Sequence, residues 1–247
     1  MSQGIGREFM KQTQYAYLDV PDQQKGLPQP PLELPYDESQ PLIALPAPDA
    51  LRVPSVDLRA LITERRTVRR YAPQPLSLAE LSYLLWCTQG VKSVEGGQTT
   101  RRTVPSAGAR HALETYLLAN RVASLEPGLY RYLALRHGLV AVDLAADVAS
   151  RITAACRNQS HVSASAVTFI WTAVAYRMTW RYGERGYRYL HLDAGHVCQN
   201  LYLAAESIGC GVCALAAFDD AALNRELGVD GETQFAIYAA TLGKKEA

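Results

Sequence analysis

One short segment of the sequence carries the residue types that bind a phosphate group. Glu64–Arg70 (ERRTVRR) places four arginines around a single threonine. Arginine keeps its positive charge and presents a planar fork of donors that matches a phosphate, and a threonine hydroxyl adds a short hydrogen-bonding group. An arginine run of this kind also fits a solvated face or a nonspecific polyanion patch. The candidate phosphate ligands are Arg65, Arg66, Thr67 and Arg69.

A second segment, Pro105–Glu114 (PSAGARHALE), begins with small residues. Its stretch Ser106–Ala109 would let the backbone approach a flat ligand closely, although a run of this composition also fits an ordinary turn. A phosphate-binding segment followed by a small-residue platform indicates a bound cofactor that resembles a mononucleotide.

Four motifs occur in an order that resembles the nitroreductase superfamily, and within it the SagB-type or ThcOx-type dehydrogenases. They are ERRTVRRYAPQPLSLAELSYLLW, RTVPSAGARHALETYLL, GLYRYLALRHGL and RYGERGYRYLHLDAGHVCQNLYLAAESIG, and the similarity runs from about Arg65 to Lys245. The resemblance implies an α+β, nitroreductase-like fold with a central, mostly antiparallel sheet flanked by helices. It also implies an FMN cofactor and an intertwined homodimer.

The resemblance assigns roles to both segments. Arg65, Arg66, Thr67 and Arg69 match the stretch that holds the FMN phosphate and ribityl chain. Lys244 lies where family members often place a second phosphate-binding cation, and a solvated lysine is the alternative. A stretch that crosses the dimer interface to the partner's flavin is matched here by Pro105, Ser106 and Ala107. Two chains would then build each site.

Two further stretches match parts of the family that face the flavin ring. Gln159, next to Asn158, lies where the family has an amide facing the pyrimidine edge, and a surface polar pair is the alternative. Ala214, Leu215 and Ala216 match the loop whose backbone faces flavin N5. Many nitroreductases have proline and glutamate in that loop, which this chain lacks.

The resemblance also suggests a catalytic pair, Arg181 and Tyr182. Azole-forming members of the branch carry a Lys-Tyr pair at this place, where it removes a proton as hydride leaves. Tyr182 is retained here, but arginine replaces the lysine and is a poor base, which weighs against thiazoline or oxazoline oxidation. Contact with phosphate or solvent alone is the other interpretation of the pair.

These features together predict an FMN-dependent oxidoreductase that transfers hydride between a reduced donor such as NAD(P)H and an organic acceptor. Its substrate would be a small molecule or a peptide. The alternative is a non-catalytic flavin-fold scaffold in a peptide-modifying or biosynthetic complex. A third hypothesis, a thiol-redox or metal module, rests on Cys210 and Cys213. A zinc site usually needs a second such pair, so we expect buried structural thiols and no metal.

The bulk properties narrow the remaining classes. With 247 residues and 48% hydrophobic content, the chain can bury one sizeable core. A formal net charge of +1 argues against a nucleic-acid partner, and no apolar stretch approaches the ~20 residues that span a bilayer. Charged residues near the N-terminus argue against a signal peptide. Five cysteines without a framework spacing favour the reducing cytoplasm.

Proline content divides the chain. Nine of the thirteen prolines fall within the first 54 residues, so we expect residues 1–54 to form a proline-rich arm without helix, wrapped over its own body or a partner. A disordered tail is the alternative. Residues 55–247 would form the FMN-binding domain.

Local patterns predict the elements of that domain. Ser77 and Glu80 form a capping-box pattern before a helix that ends at Gly90. The other predicted helices are Asp147–Arg157, a long helix from Asp193 to Ser207, and Asp220–Leu227. The predicted strands are Thr115–Val122, Leu129–Leu133, the buried central strand Val167–Ala175, and Gln234–Leu242, with a loop at Gly96–Arg102.

Overall fold

The computed structural model describes residues 4–246, so residues 1–3 and residue 247, at the outer ends of the two predicted segments, lie outside the described residues. The helices are α1 (Ile5–Gln12), α2 (Leu58–Glu64), α3 (Leu78–Gln89), α4 (Val148–Ala155), α5 (His161–Ala164), α6 (Ala175–Tyr182), α7 (Gly186–Ser207) and α8 (Asp220–Leu227). The strands are β1 (Ile43–Ala44), β2 (Val91–Glu95), β3 (Thr99–Arg102), β4 (Leu113–Ala119), β5 (Gly128–Leu133), β6 (Gly138–Asp143), β7 (Val167–Val174), β8 (Cys210–Leu215) and β9 (Gln234–Lys244).

Seven of these strands form one sheet in the order β1-β6-β5-β4-β7-β9-β8, and every neighbouring pair is antiparallel. Strands β2 and β3 form a separate hairpin. Helices cover both faces of the large sheet, so the predicted α+β fold with a central antiparallel sheet is confirmed.

The central strand β7 shows why the sheet needs cover on both faces. Successive side chains of a strand point to opposite faces. Phe169 and Trp171 pack into one hydrophobic core together with residues of α3 and α7, whereas Ile170 packs into a second core with residues of α4 and α8. The continuous apolar run in the sequence therefore predicts this strand correctly.

Helix α3 begins and ends where its capping signals predict. The Ser77 hydroxyl accepts a hydrogen bond from the Glu80 N–H (3.2 Å), and the Glu80 carboxylate accepts one from the Ser77 N–H (2.8 Å). At the other end, the Gly90 N–H donates to the carbonyl of Trp86 (2.8 Å). The helix is thereby fixed against α7 at the base of the site described below.

The predicted start of the long helix at Asp193 is wrong, because α7 begins at Gly186. Helix α6 ends at Gly183, whose φ of +53° breaks the helix, and one 3-10 turn separates it from α7. Asp193 is a buried residue within α7, and its carboxylate accepts hydrogen bonds from the Ser106 segment instead of capping a helix. At 22 residues, α7 is about 33 Å long.

Two other local predictions are wrong. The polar stretch Gly96–Arg102 was expected to be a loop, but Thr99–Arg102 pairs with Val91–Glu95, and only the turn at its glycines is irregular. Helix was excluded from residues 1–54, yet Ile5–Gln12 is helical because it precedes the first proline, Pro21.

The proline-rich part of the chain lies over the chain's own body. Its two-residue strand β1 pairs with the edge strand β6. The Leu34 N–H donates to Glu114 (3.0 Å), and the Gln23 N–H donates to the Trp180 carbonyl (2.8 Å). Among residues 4–246, no helix combines the length and the apolarity that crossing a membrane requires.

Candidate functional site

The segment Arg65–Arg70, called the clamp segment below, is attached to the edge of the sheet beside β8. The Val68 N–H donates to the Val212 carbonyl (2.9 Å), and Thr67 forms a parallel bridge with Val212. Just beyond the segment, the Ala72 N–H donates to the Lys244 carbonyl (3.0 Å). These backbone bonds hold the segment extended, so that its arginines are presented from the end of the sheet.

Two glycines allow this close approach. A Cβ atom added at Gly211 would lie 2.6 Å from Val68 Cβ, and one added at Gly243 would lie 2.8 Å from Tyr71 Cγ. The Tyr71 hydroxyl donates to the Val68 carbonyl (2.8 Å) and lies 2.7 Å from Thr241 Oγ1. Burial raises the pKa of Tyr71 well above its usual range, so this phenol stays protonated and keeps these hydrogen bonds.

The clamp segment borders a cavity of about 310 Å³. Its lining consists of Arg66, Thr67, Val68, Arg69, Arg70, Lys245 and Glu246. Within residues 4–246, the arginines of the clamp segment form no ion pair with a carboxylate. The cavity therefore offers several guanidinium groups whose donors are available to an anion.

Tyr202 of α7 connects the clamp segment to β8. Its hydroxyl accepts from the Ala214 N–H (2.9 Å) and lies 3.3 Å from Thr67 Oγ1. The guanidinium carbon of Arg65 lies 5.3 Å from the centre of the Tyr202 ring, within cation–π range. Sequence reasoning missed this residue, although a phenol on a largely apolar helix stretch was a signal that could have found it.

The donor set fits the phosphate end of FMN. Unpaired guanidinium groups beside a threonine hydroxyl suit a dianionic monoester. The cavity is at the small end of the range for ligand sites, which is the size expected where one chain holds only part of a cofactor. Arg69, Thr67 and Arg66 would hold the phosphate, with Arg65 fixed beside them on Tyr202.

The two lysines at the end of β9 are placed differently from each other. The Lys244 ammonium forms an ion pair with Glu80 and lies 3.5 Å from the Ile208 carbonyl. Lys245 lines the cavity with the arginines and pairs with Glu206. Adjacent residues of an extended chain face opposite sides, so only one of two neighbouring lysines reaches the cavity. Sequence reasoning named Lys244, and the structure brings Lys245 into the cavity.

The predicted amide, Gln159, holds the loop that follows β8. Its Nε2 donates to the carbonyls of Cys156 (2.9 Å) and Ala217 (2.8 Å). Gln159 thus lies next to the predicted stretch Ala214, Leu215 and Ala216, of which Leu215 is buried and Ala216 is exposed. The structure therefore brings these two predicted parts of the site together.

His161 is a polar residue near the clamp segment that the sequence gave no reason to select. It is 8% exposed, and its Nε2 has no hydrogen-bond partner within the described residues. Burial and the charge of Arg69 lower the pKa of His161, so the ring is neutral at pH 7.

The platform Ser106–Ala109 is anchored on α7 by Asp193. Ser106 Oγ donates to the Asp193 carboxylate (2.5 Å) and accepts from the His111 N–H (2.8 Å), while the Ala107 N–H donates to Asp193 (3.2 Å). The Ser106 side chain is thus used in hydrogen bonds within the protein. Pro105 and Gly108 are exposed.

The platform and the clamp segment are attached to α7 at separate places. Asp193 and Tyr202 are nine residues apart on this helix, which corresponds to about 14 Å along its axis. One chain therefore presents the two predicted flavin-binding segments side by side along a helix.

The predicted catalytic pair packs directly on the platform. Gly108 has a φ of +57°, and an added Cβ atom would lie 2.5 Å from the Tyr182 hydroxyl and 2.7 Å from Arg181 Nε. The positive φ favours glycine at this position, and a larger residue would also displace the ends of these two side chains. The structure brings Arg181 and Tyr182 together with the predicted platform.

Arg181 lies between two cavities. One, of about 490 Å³, is lined by Arg181, Tyr182 and N-terminal residues that include Tyr15 and Asp19. The other, of about 670 Å³, lies between the β2–β3 hairpin and the platform and is called the hairpin cavity below.

A second phenol lies behind Tyr182. The Tyr182 and Tyr189 rings meet edge to face, with their centres 4.8 Å apart. The Tyr189 hydroxyl accepts from Arg185 Nε (2.8 Å) and lies 3.0 Å from the Tyr15 hydroxyl. Burial opposes ionisation of Tyr189, but the bonds from Tyr15 and Arg185 outweigh it and lower its pKa.

The cysteine pair of β8 is not arranged as a chelate or a dithiol. Cys210 and Cys213 are three residues apart on one strand, so their side chains point to opposite faces of the sheet. Burial raises the pKa of both thiols, that of Cys210 to about 11. Within residues 4–246, no cluster of three or more His, Cys, Asp or Glu side chains could hold a metal ion.

The chain is similar to known proteins in sequence and in fold. The model of the Nitroreductase family matches residues 62–244. A Methanocaldococcus jannaschii protein named as a candidate nitroreductase is 38% identical over 168 residues, which is 68% of this chain and 82% of the relative. The trifolitoxin-processing protein TfxB of Rhizobium leguminosarum bv. trifolii is 33% identical over 133 residues, 52% of this chain. The chain matches only 36% of TfxB.

Solved structures of similar fold extend the comparison. A candidate nitroreductase from Ralstonia eutropha superposes with a TM-score of 0.69 at 26% identity, covering 90% of this chain and 95% of that one. One from Anabaena variabilis gives 0.69 and 26%, covering 85% of this chain but only 42% of that one. A chain of the Escherichia coli microcin synthetase McbBCD complex shares the fold alone, with a TM-score of 0.62 at 19% identity, covering 78% of this chain and 76% of that one.

Proposed function

Because the chain belongs to the nitroreductase family, we propose that it is an FMN-dependent oxidoreductase that passes hydride from a reduced donor such as NAD(P)H to an organic acceptor. The observation that supports this most directly is the clamp segment, whose arginines border a cavity and form no ion pair with a carboxylate among the described residues. Bound FMN would supply the hydride chemistry, while the protein binds, orients and moves protons.

The residues of this chain divide that work. Arg66, Thr67 and Arg69 bind the phosphate, and Tyr202 fixes the backbone at Ala214 through its hydroxyl. Gln159 fixes the next stretch of the loop through Ala217. The backbone that faces the flavin ring is thereby held before substrate arrives, which keeps the reorganisation needed during reaction small.

Tyr182 is the residue we assign to proton transfer. Its hydroxyl lies against Gly108 of the platform, next to the place proposed for the flavin. Arg181 stays charged and therefore binds and orients instead of acting as a base. We propose further that the protein belongs to the SagB-type branch of the family, with the lysine of the azole-forming pair replaced by Arg181, and the similarity to TfxB supports this branch.

We further propose that the working unit is a homodimer in which the platform of one chain contacts the flavin held by its partner. Large apolar side chains on α2 and α7 are exposed in the single chain and would be covered by a second copy: Leu58 (60% exposed), Ile62 (55%) and Leu192 (59%). The five free cysteines support the reducing cytoplasm as its location.

The proposal is tested by the purified protein itself. We expect a yellow protein that releases FMN on denaturation and binds FMN more tightly than riboflavin, which lacks the phosphate. Steady-state rates with NADPH and a nitroaromatic acceptor should give the parallel double-reciprocal lines of a ping-pong reaction. Colourless protein that takes up no FMN in a titration would contradict the proposal.

A second function has separate support. TfxB is named as a trifolitoxin-processing protein, and the chain shares 33% identity with part of it. With Arg181 in place of lysine, the chain could instead act as a non-catalytic flavin-fold scaffold in a peptide-modifying complex, with a peptide as its partner. Rapid oxidation of NAD(P)H in the presence of a quinone or a nitroaromatic would rule out this alternative.

A further inference from the structure

Two arginines contact the platform glycine, Gly108. Arg110 is 5% exposed, its Nε donates to the Gly108 carbonyl (3.0 Å), and its guanidinium lies 5.5 Å from the centre of the Trp180 ring. Arg181 packs against the same glycine, since a Cβ atom there would lie 2.7 Å from Arg181 Nε. The two guanidinium groups are thus held close together by the platform.

Their charges are not balanced by the protein. Neither Arg110 nor Arg181 forms an ion pair with a carboxylate within residues 4–246. Burial, and then the neighbouring charge of Arg181, lower the pKa of Arg110. A buried positive charge next to a second one is unfavourable unless an anion joins them.

The hairpin cavity next to this pair is cationic. Besides Arg181, its lining includes Lys92 and Arg102, and it contains no acidic side chain. Thr99 lines the cavity and lies 3.5 Å from Arg110 Nη2, so Arg110 adjoins the cavity wall. At about 670 Å³, the cavity is large enough for a small organic ligand.

We propose that the hairpin cavity binds an anionic group of the substrate, a carboxylate or a phosphate, through Arg181, with the charge of Arg110 behind the cavity wall adding to the attraction. The proposal rests on the proposed function, because the anchored anion would hold the reacting part of the molecule beside Tyr182. It also explains an arginine at position 181, since a guanidinium can grip a carboxylate or phosphate with two parallel bonds and a lysine cannot. The anion comes either from a carboxylate on the organic acceptor or from the pyrophosphate of the nicotinamide donor.

The first test measures binding to the purified full-length protein by calorimetry, with 4-nitrobenzoate, NADPH and the neutral nitrobenzene as probes. We expect Arg181→Gln to weaken binding of at least one anionic probe about tenfold or more, the effect of losing a charged hydrogen bond, and to leave nitrobenzene unchanged. Arg181→Lys should lose less, because it keeps the charge. Arg225→Gln, an exposed arginine on α8, is the matched control and should bind like the wild type.

The probes distinguish the two sources. Weaker binding of 4-nitrobenzoate assigns the site to the acceptor, and weaker binding of NADPH assigns it to the donor. Unchanged binding of both in Arg181→Gln, or equal loss of nitrobenzene, overturns the proposal. Arg110→Gln tests the buried arginine of the pair with the same probes. Thermal unfolding measured alongside shows that this variant is folded.

The binding test can succeed or fail independently of the proposed function. Calorimetry does not require turnover, so a protein that binds no FMN still reports whether the anion site exists. If the protein is active, Arg181→Gln should raise KM for 4-nitrobenzoate by a larger factor than KM for nitrobenzene, a difference that a general structural defect would not produce.

Discussion

Arginine side chains occupy two opposite settings in this molecule. In the interior, Arg177 and Arg131 flank Glu114 at 2.8 Å and 3.3 Å, and all three side chains are at least nine-tenths buried. The Leu34 N–H donates to the same carboxylate, so the proline-rich segment joins this cluster.

In the clamp segment the arginines have no such partner. Arg66 and Arg69 are exposed and line a cavity without an ion pair among the described residues. A buried charge must be paired because its desolvation is costly, whereas an exposed one need not be. The paired arginines therefore have a structural role here, whereas the exposed arginines of the clamp segment line a cavity together and remain available to a ligand.

The largest effect that this contrast predicts is on stability. Glu114→Gln removes the shared partner of two buried arginines, so we expect the free energy of unfolding to fall by about 3–5 kcal/mol. Urea unfolding would measure it. Glu95→Gln, which breaks the exposed pair with Arg101, is the matched control and should have no measurable effect. Equal effects of the two substitutions would remove the distinction between the regions.

The clamp segment should respond in the opposite way. Arg66→Ala and Arg69→Ala should each weaken FMN binding by about 1.5–3 kcal/mol, the value of a hydrogen bond to a charged group, and change unfolding little. Quenching of flavin fluorescence would measure the affinity. Arg136→Ala, an exposed arginine on the turn between β5 and β6, should bind FMN normally. Unchanged affinity in both clamp variants would remove the phosphate site from the model.

The elements that the sequence predicts correctly are those with local causes. Ser77 and Glu80 cap α3 through bonds only three residues apart, and β7 is buried on both faces as its apolar run indicates. Asp193 misled the prediction because an acid before an apolar helical run usually caps, whereas this one bonds to Ser106, 87 residues away.

The same limit applies to the site. The clamp segment could be recognised because its arginines are contiguous, and the structure leaves its proposed role in FMN binding open to the test above. Tyr202 and Lys245 reach the cavity region only through the packing of α7 and β9 against the sheet. No spacing in the sequence records that packing: the one signal for Tyr202 is a phenol on a largely apolar helix stretch, and no signal separates Lys245 from Lys244.

The interior cluster also predicts a pH effect. Burial, with the nearby charges of Arg102, Arg110 and Arg177, lowers the pKa of His111 to about 3. Between about pH 6.5 and pH 3 the unfolded chain binds a proton that the folded chain does not, so stability falls as the pH falls.

The contribution of His111 is at most about 1.4 kcal/mol per pH unit. His111→Asn should reduce the slope of the unfolding free energy against pH within this window, and Asn tolerates the positive φ found there. Urea unfolding at several pH values would measure the slope. An identical slope in the variant would show that His111 is not held neutral by its neighbours.

The smallest predicted effects separate two adjacent lysines. Lys245 lines the clamp cavity but already pairs with Glu206, so Lys245→Gln should weaken FMN binding by only about 0.5–1.5 kcal/mol. Lys244 points away to Glu80, so Lys244→Gln should leave FMN affinity unchanged and lower stability slightly by releasing the start of α3. The two variants are matched in charge and position, and fluorescence titration compares them directly. If Lys244→Gln is instead the variant that weakens FMN binding, Lys244 is the phosphate ligand, as the sequence predicts. The sides of the strand assigned to Lys244 and Lys245 are then exchanged.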